Sequence, residues 1–240
     1  MNALIKPLLL SLLFFPPLYS FGDDAFGTLI FRDDFERSES QETKDEPGNE
    51  WTTSSDKTAK GNKQVDLRDG YMYIYTHAEA NHATSVRHAF EFQNGTIGLK
   101  VKFDEKRDSI LLNFTDMGEK SVHAGHLFNV IVSPTDTQII DLKTGIMNQV
   151  IRNAKKANEL SAEQKKLLNT KGKRFPHPLA TGEWHQVYAT VTGDEVTCTI
   201  NGTEVGTFRS PGFAHDTKTL IRLLVPYNVS VDEIKIWRKD

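Results

Sequence analysis

The chain has 240 residues, with 29 basic against 32 acidic side chains and a formal charge of −3 at neutral pH. That balance excludes a whole-molecule attraction to nucleic acid, and the lone cysteine, Cys198, excludes an internal disulfide. No Gly-rich phosphate loop and no strand–helix alternation occur, which excludes a nucleotide-binding α/β fold.

Residues 1–22 carry one early positive charge, Lys6, then run uncharged from Pro7 to Leu18 and end near the small residues Ser20 and Gly22. A basic start, an apolar stretch of about a dozen residues and a small-x-small end form the pattern of a secretory signal. The stretch is shorter than the roughly 20 apolar residues of a membrane span. The expected organisation is a signal peptide over 1–22 and one β domain over 23–240. The expected location is the periplasm or the cell exterior, with no membrane span after cleavage.

From Thr28 onward the dominant period is two, the repeat of a strand with one buried face. Tyr71, Tyr73 and Tyr75 alternate with Met72 and Ile74, and Ile97, Leu99, Val101 and Phe103 alternate with Gly98, Lys100, Lys102 and Asp104. Asp69-Gly70, Asn94-Gly95, Gly193-Asp194 and Asn201-Gly202 punctuate the runs as turns. Trp184 to Phe208 reads as a three-stranded antiparallel meander, and the whole chain as 11 to 13 strands. Within that meander Val196, Cys198 and Ile200 share a face, so Cys198 is a buried small hydrophobe. Between Ile146 and Asn169 the apolar spacing turns helical. Two short helices are expected there, the second opened by the capping box Ser161–Gln164 and ended by Gly172. Arg152 to Arg174 is rich in Lys and Arg, but no aromatics interleave the charges, which reads as a solvated helix face.

The opening Phe31-Arg-Asp-Asp-Phe-Glu36 with Trp51, the meander from Gly182-Glu-Trp to Asn201-Gly202, and the closing Val229-Ser-Val-Asp-Glu-Ile-Lys-Ile-Trp237 resemble secreted bacterial concanavalin A-like domains. The resemblance is nearest to the 3-keto-disaccharide hydrolase-like family, related in fold to laminin G-like modules and family 16 glycoside hydrolases. It covers most of residues 23–240 outside the helical stretch. It implies an all-β fold: a concanavalin A-like two-sheet antiparallel β-sandwich, or jelly roll, with one helical insertion near 146–170. It also implies carbohydrate binding or processing, in its enzyme version a glycoside hydrolase acting on modified disaccharides. The alternative is a non-catalytic interaction or structural module of the cell envelope, since this sandwich serves many purposes.

Family 16 enzymes carry carboxylates in E-x-D-x-E or E-x-D-x-x-E on one strand, and neither spacing occurs here. Asp33-Asp34, Asp104-Glu105 and Asp232-Glu233 are adjacent pairs, which a strand points to opposite faces. Five of the eight histidines instead fall in two short stretches, 77–88 and 123–126. Imidazoles brought together with a guanidinium and a carboxylate supply acid, base and hydrogen-bond donors to sugar hydroxyls. The candidate ligand-binding set is therefore His82, Arg87, His88, His126 and Asp141, on the concave face or rim. The strand after Asn94-Gly95 is expected to pair back against Arg87 and His88, and the strand opened by His126 to neighbour that of Asp141. No metal site, cofactor or nucleic-acid partner is expected. Tyr71, Tyr73 and Tyr75 are read as packing residues and Trp51, Trp184 and Trp237 as core anchors.

Overall fold

A computed structural model describes residues 23–239, so the expected signal peptide at 1–22 lies outside the described residues. Two antiparallel sheets hold the strands of the described residues. The first runs β13 (Thr203–Arg209), β12 (Glu195–Ile200), β11 (Trp184–Thr192), β6 (Asn94–Lys102), β15 (Asn228–Lys239), β4 (Tyr71–Tyr75) and β3 (Val65–Arg68), with β1 (Thr28–Asp33) also pairing β15. The second runs β10 (Gly172–Pro176), β9 (Asp136–Asp141), β8 (His126–Val132), β7 (Ile110–Thr115), β14 (Lys218–Val225), β5 (Thr84–Phe92) and β2 (Thr52–Thr53).

The alternation works as the sequence implies. Val86, Leu112, Val130, Ile139 and Leu223 of the second sheet share one core with Met72, Leu99, Val187, Cys198 and Val231 of the first. Each such aliphatic or aromatic side chain contributes about 1.5–3 kcal/mol by leaving water. The hairpin turns at Asp69-Gly70 and Asn201-Gly202 have positive φ at both central residues, 51° and 75° in the first and 50° and 77° in the second. That is the requirement of a type I′ turn.

Asn94-Gly95 does something else. Only Gln93 separates β5 from β6, and the two strands belong to different sheets. The pair therefore carries the chain across the sandwich, and β6 does not fold back on Arg87 and His88 as expected. Gly95 is required there by crowding, because a Cβ would stand 2.3 Å from the carbonyl oxygen of Trp237.

Among the described residues there are three short α-helices: α1 (Ser55–Thr58), α2 (Gln149–Ala157) and α3 (Ala162–Leu168). The last two are the expected insertion, and Ser161 with Gln164 forms the reciprocal capping box. Asn169 ends α3, whereas Gly172 opens β10.

The opening motif has a structural purpose. The Asp33 carboxylate accepts hydrogen bonds from Trp51 Nε1 at 2.8 Å, from the Phe35 amide at 2.9 Å and from both Nη atoms of Arg37 at 2.7 and 3.0 Å. Burial alone would raise its pKa, but Arg37 and these donors hold it below the usual carboxylate value. Trp51 and Trp237 are buried, while Trp184 is 38% exposed and so is no core anchor. Cys198 is fully buried, and desolvation pushes its thiol up to about 12.

Candidate functional site

The second sheet's outward residues follow from its inward ones. Ile110, Leu112 and Phe114 of β7 are core, leaving Asn113 outward; Ile221, Leu223 and Val225 of β14 are core, leaving Arg222 outward. By the same alternation β8 presents Asn129, β9 presents Ile140 and β5 presents Arg87. Strand register then aligns them. Gly172 pairs Ile140, Ile140 pairs Asn129, Asn129 pairs Asn113, Asn113 pairs Arg222, Arg222 pairs Arg87, and Arg87 pairs Thr52. One row crosses all seven strands, and its central four residues are two asparagines and two arginines. At the usual strand spacing those four span roughly 14 Å, the length of a short oligosaccharide.

His126 joins this row through an irregularity. The register between β7 and β8 shifts after Phe114–Phe128, so that Leu127 and Phe128 are both core and His126 turns outward. Its Nδ1 lies 2.8 Å from Asn113 Oδ1. Asn113 Nδ2 donates to Asn129 Oδ1 at 2.6 Å, which assigns the Asn113 oxygen as acceptor and Nδ1 of His126 as the protonated nitrogen. Nε2 is then an acceptor, and Arg222 Nη1 stands 3.3 Å away. Burial, followed by the charges of Arg222, His123 and Arg152, pushes His126 down to about 4. The imidazole is neutral at physiological pH and serves as a fixed hydrogen-bonding group.

Arg222 is 92% buried, its exposure being 8%. Nη2 donates to the Ala124 carbonyl at 2.9 Å and lies 3.0 Å from Met117 Sδ, while Nε is buried without a partner. Burial, then the like charge of Arg87, lowers its pKa to about 10. Arg87 itself donates from Nε to Ser85 Oγ at 3.0 Å, and burial lowers its pKa too. Among the described residues neither arginine forms an ion pair with a carboxylate.

The expected set of five therefore separates. Arg87 and His126 share the outer face of the second sheet. His88 follows Arg87 by one residue and so points the other way, into the sandwich. There its ring stacks on Phe31 at 3.6 Å and lies 5.0 Å from Trp51, Nδ1 has no partner, and burial lowers its pKa. Asp141 is also inward and fully buried. It accepts from Ser210 Oγ at 2.5 Å, the Gly212 amide at 3.1 Å and the Thr144 amide at 2.9 Å, pinning the loops around the end of β9. His82 is exposed in the β4–β5 connection with Nδ1 2.7 Å from Asn81. Asn113, Asn129 and Arg222 were missed. Each is the single polar residue in an otherwise apolar stretch, L-L-N-F, L-F-N-V-I and L-I-R-L-L, and that pattern was the available clue.

Two other charged clusters carry their own counter-charges. Lys63 Nζ sits 2.7 Å from Glu39, 2.8 Å from Asp66 and 3.5 Å from Glu42, so an ammonium fills the place where three carboxylates would otherwise hold a cation. His215 bridges Asp116, at 2.9 Å from Nε2, and Lys143, at 2.7 Å from Nδ1, and Lys143 also faces Glu119 at 3.4 Å.

Residues 42–234 match the model of the 3-keto-alpha-glucoside-1,2-lyase-like domain. The chain belongs to this family. The match includes every strand of the second sheet and the whole polar row. No curated protein matches the sequence. Among solved structures the chain is similar to the laminarinase from Rhodothermus marinus, at 9% identity and TM-score 0.57, over 88% of this chain and 97% of that one. It is also similar to the laminarinase from Flavobacterium sp. UMI-01, at 12% identity and TM-score 0.57, over 88% and 100%. A third is a non-specific endo-beta-1,3(4)-glucanase from family GH16, at 14% identity and TM-score 0.55, over 87% and 90%. At these identities the likeness establishes the fold, a concanavalin A-like jelly roll, as expected from the sequence motifs.

Proposed function

We propose that this lyase-like domain binds a saccharide laid across the second sheet, on the row from Asn129 to Arg87. The observation that carries the reading is the register itself. Four adjacent strands each place one amide or guanidinium group at the same level of the sheet's outer face, Arg87 half-buried and Asn113, Asn129 and Arg222 buried behind it, with His126 fixed beside them. Asparagine and arginine side chains are donors and acceptors suited to sugar hydroxyls, and a β-sheet holds them at fixed spacing. The family match and the fold shared with laminarinases support a saccharide over other ligands. The basic–apolar–small pattern of residues 1–22 supports export, which would place the site in the periplasm or outside the cell.

The row favours binding over hydrolysis. Retaining glycosidases need two carboxylates about 5–5.5 Å apart, and no row position carries an acid. A base with a pKa of about 4 is also weak at neutral pH. The family name favours a second reading, elimination on a 3-keto glucoside, in which Nε2 of His126 would take the proton once Arg222 turns from it to the substrate. A glycan array run beside a turnover screen on native and 3-keto disaccharides separates the readings. Binding without turnover is the expected result. Turnover of the 3-keto sugar that disappears in His126→Gln overturns the binding-only reading in favour of the lyase.

A further inference from the structure

The electrostatics of the row go further than its hydrogen-bonding capacity. Arg222 and Arg87 are directly opposed across β14 and β5. Like charges in that position repel, and proteins ordinarily relieve the repulsion with a nearby acid. Here no carboxylate does so: the described residues offer neither arginine an ion pair, and the residues flanking them in the row are Asn113 and Thr52. Arg222 also keeps one buried donor, Nε, unused. A buried guanidinium with an unspent donor is costly unless something else accepts from it.

The surroundings add charge of the same sign. His126 is held neutral, and Arg152 and Lys156 of α2 lie near enough to His123 to lower its pKa after burial. At its far end the row runs under the helical insertion into a cavity of about 390 Å³ lined by Ile140, Gly172, Lys155, Lys171, Lys173 and Arg174. Asp141 and Asp136 answer Lys171 and Arg174 there, but nothing corresponding answers Arg87 and Arg222.

We infer that the saccharide bound along the row is acidic, and that a carboxylate or sulfate group of the sugar sits between Arg87 and Arg222. The inference rests on the saccharide reading of the row. Guanidinium groups suit such anions because their planar donor pairs match two oxygens at once. A uronic acid and a sulfate ester present the same oxygens, so both belong to the class.

The test uses the full chain and matched sugars. Calorimetric affinities would be measured for oligogalacturonides and for their neutral methyl esters, and for a sulfated oligosaccharide and its desulfated form. The acidic member of at least one pair is expected to bind tenfold or more tightly than its neutral counterpart. In Arg87→Gln and in Arg222→Gln that ratio is expected to fall toward one, because the acidic sugar loses more affinity than its neutral counterpart. Melting curves confirm that each variant is folded, and Arg87→Gln, whose side chain is less buried, keeps the test available if Arg222→Gln is not. Neutral and acidic sugars binding equally would overturn the inference while leaving the saccharide reading intact. Binding of neither would overturn the saccharide reading and this inference with it, as would capture of inorganic sulfate or phosphate alone.

Discussion

The two outer faces of the sandwich solve the same problem in opposite ways. On the first sheet Lys102 Nζ lies 5.0 Å over Tyr71 and 5.1 Å over Trp184, and Arg68 lies 3.7 Å over Tyr73 while pairing with Asp66 at 3.2 Å. Lys100 pairs with Glu233 at 2.6 Å. Every one of these cations has an aromatic ring or a carboxylate. On the second sheet Arg87 and Arg222 have neither a carboxylate nor a cation–π ring, although Arg222 is buried. A face whose charges are answered from within is complete as it stands. A face that buries two facing guanidinium groups unanswered is suited to an outside partner, and exposed aromatics alone would have directed attention to the wrong sheet.

The sharpest way to break this contrast is to confuse site with support. Asp141→Ala should cost about 3 kcal/mol in urea unfolding, because the donors of Ser210, Gly212 and Thr144 lose their shared acceptor in the interior. Folded Asp141→Ala should bind saccharide like the parent. Lost affinity at unchanged stability would place Asp141 in the site after all.

A titration of stability sharpens it further. His126 is depressed to about 4 in the fold from 6.5, and His88 is depressed as well. The unfolded chain therefore binds more protons between those values. Stability is full above about 6.5 and falls as the pH drops toward 4, by about 3 kcal/mol for His126 alone. His126→Gln should flatten the slope. A parent curve flat over this window would mean that His126 is not held neutral by its neighbours.

The smallest effect belongs to the first sheet. Lys102→Ala should lower stability by about 1 kcal/mol or less, the worth of an exposed cation–π contact, and leave saccharide affinity unchanged. A tenfold loss of affinity would move the site to the aromatic face.

Much of the fold was legible because period-two burial writes itself into the sequence. Met72 and Ile74 face the core and Tyr71, Tyr73 and Tyr75 the outside, as alternation requires. The capping box of α3 and the type I′ turns are local chemistry, readable without the rest of the chain. The Asn94-Gly95 step was not, because a sheet-to-sheet crossing and a hairpin use the same dipeptide and differ only in distant partners. The candidate site was partly legible. Arg87 and His126 lie where an outward-facing reading puts them, but adjacency to Arg87 already dictated that His88 points inward. Arg222 and the two asparagines come together only through the pairing of β5, β14, β7 and β8, which no single stretch of sequence discloses.

The most direct measurement follows side-chain resonances of the two faces during a saccharide titration. Nitrogen-15 spectra report the Asn113 and Asn129 amides, the His126 ring and the Trp184 indole separately. Saturable shifts at Asn113, Asn129 and His126, with the Trp184 indole unmoved, are the predicted result. Shifts at Trp184 with the two asparagines and His126 unmoved would contradict the assignment of the site to the second sheet.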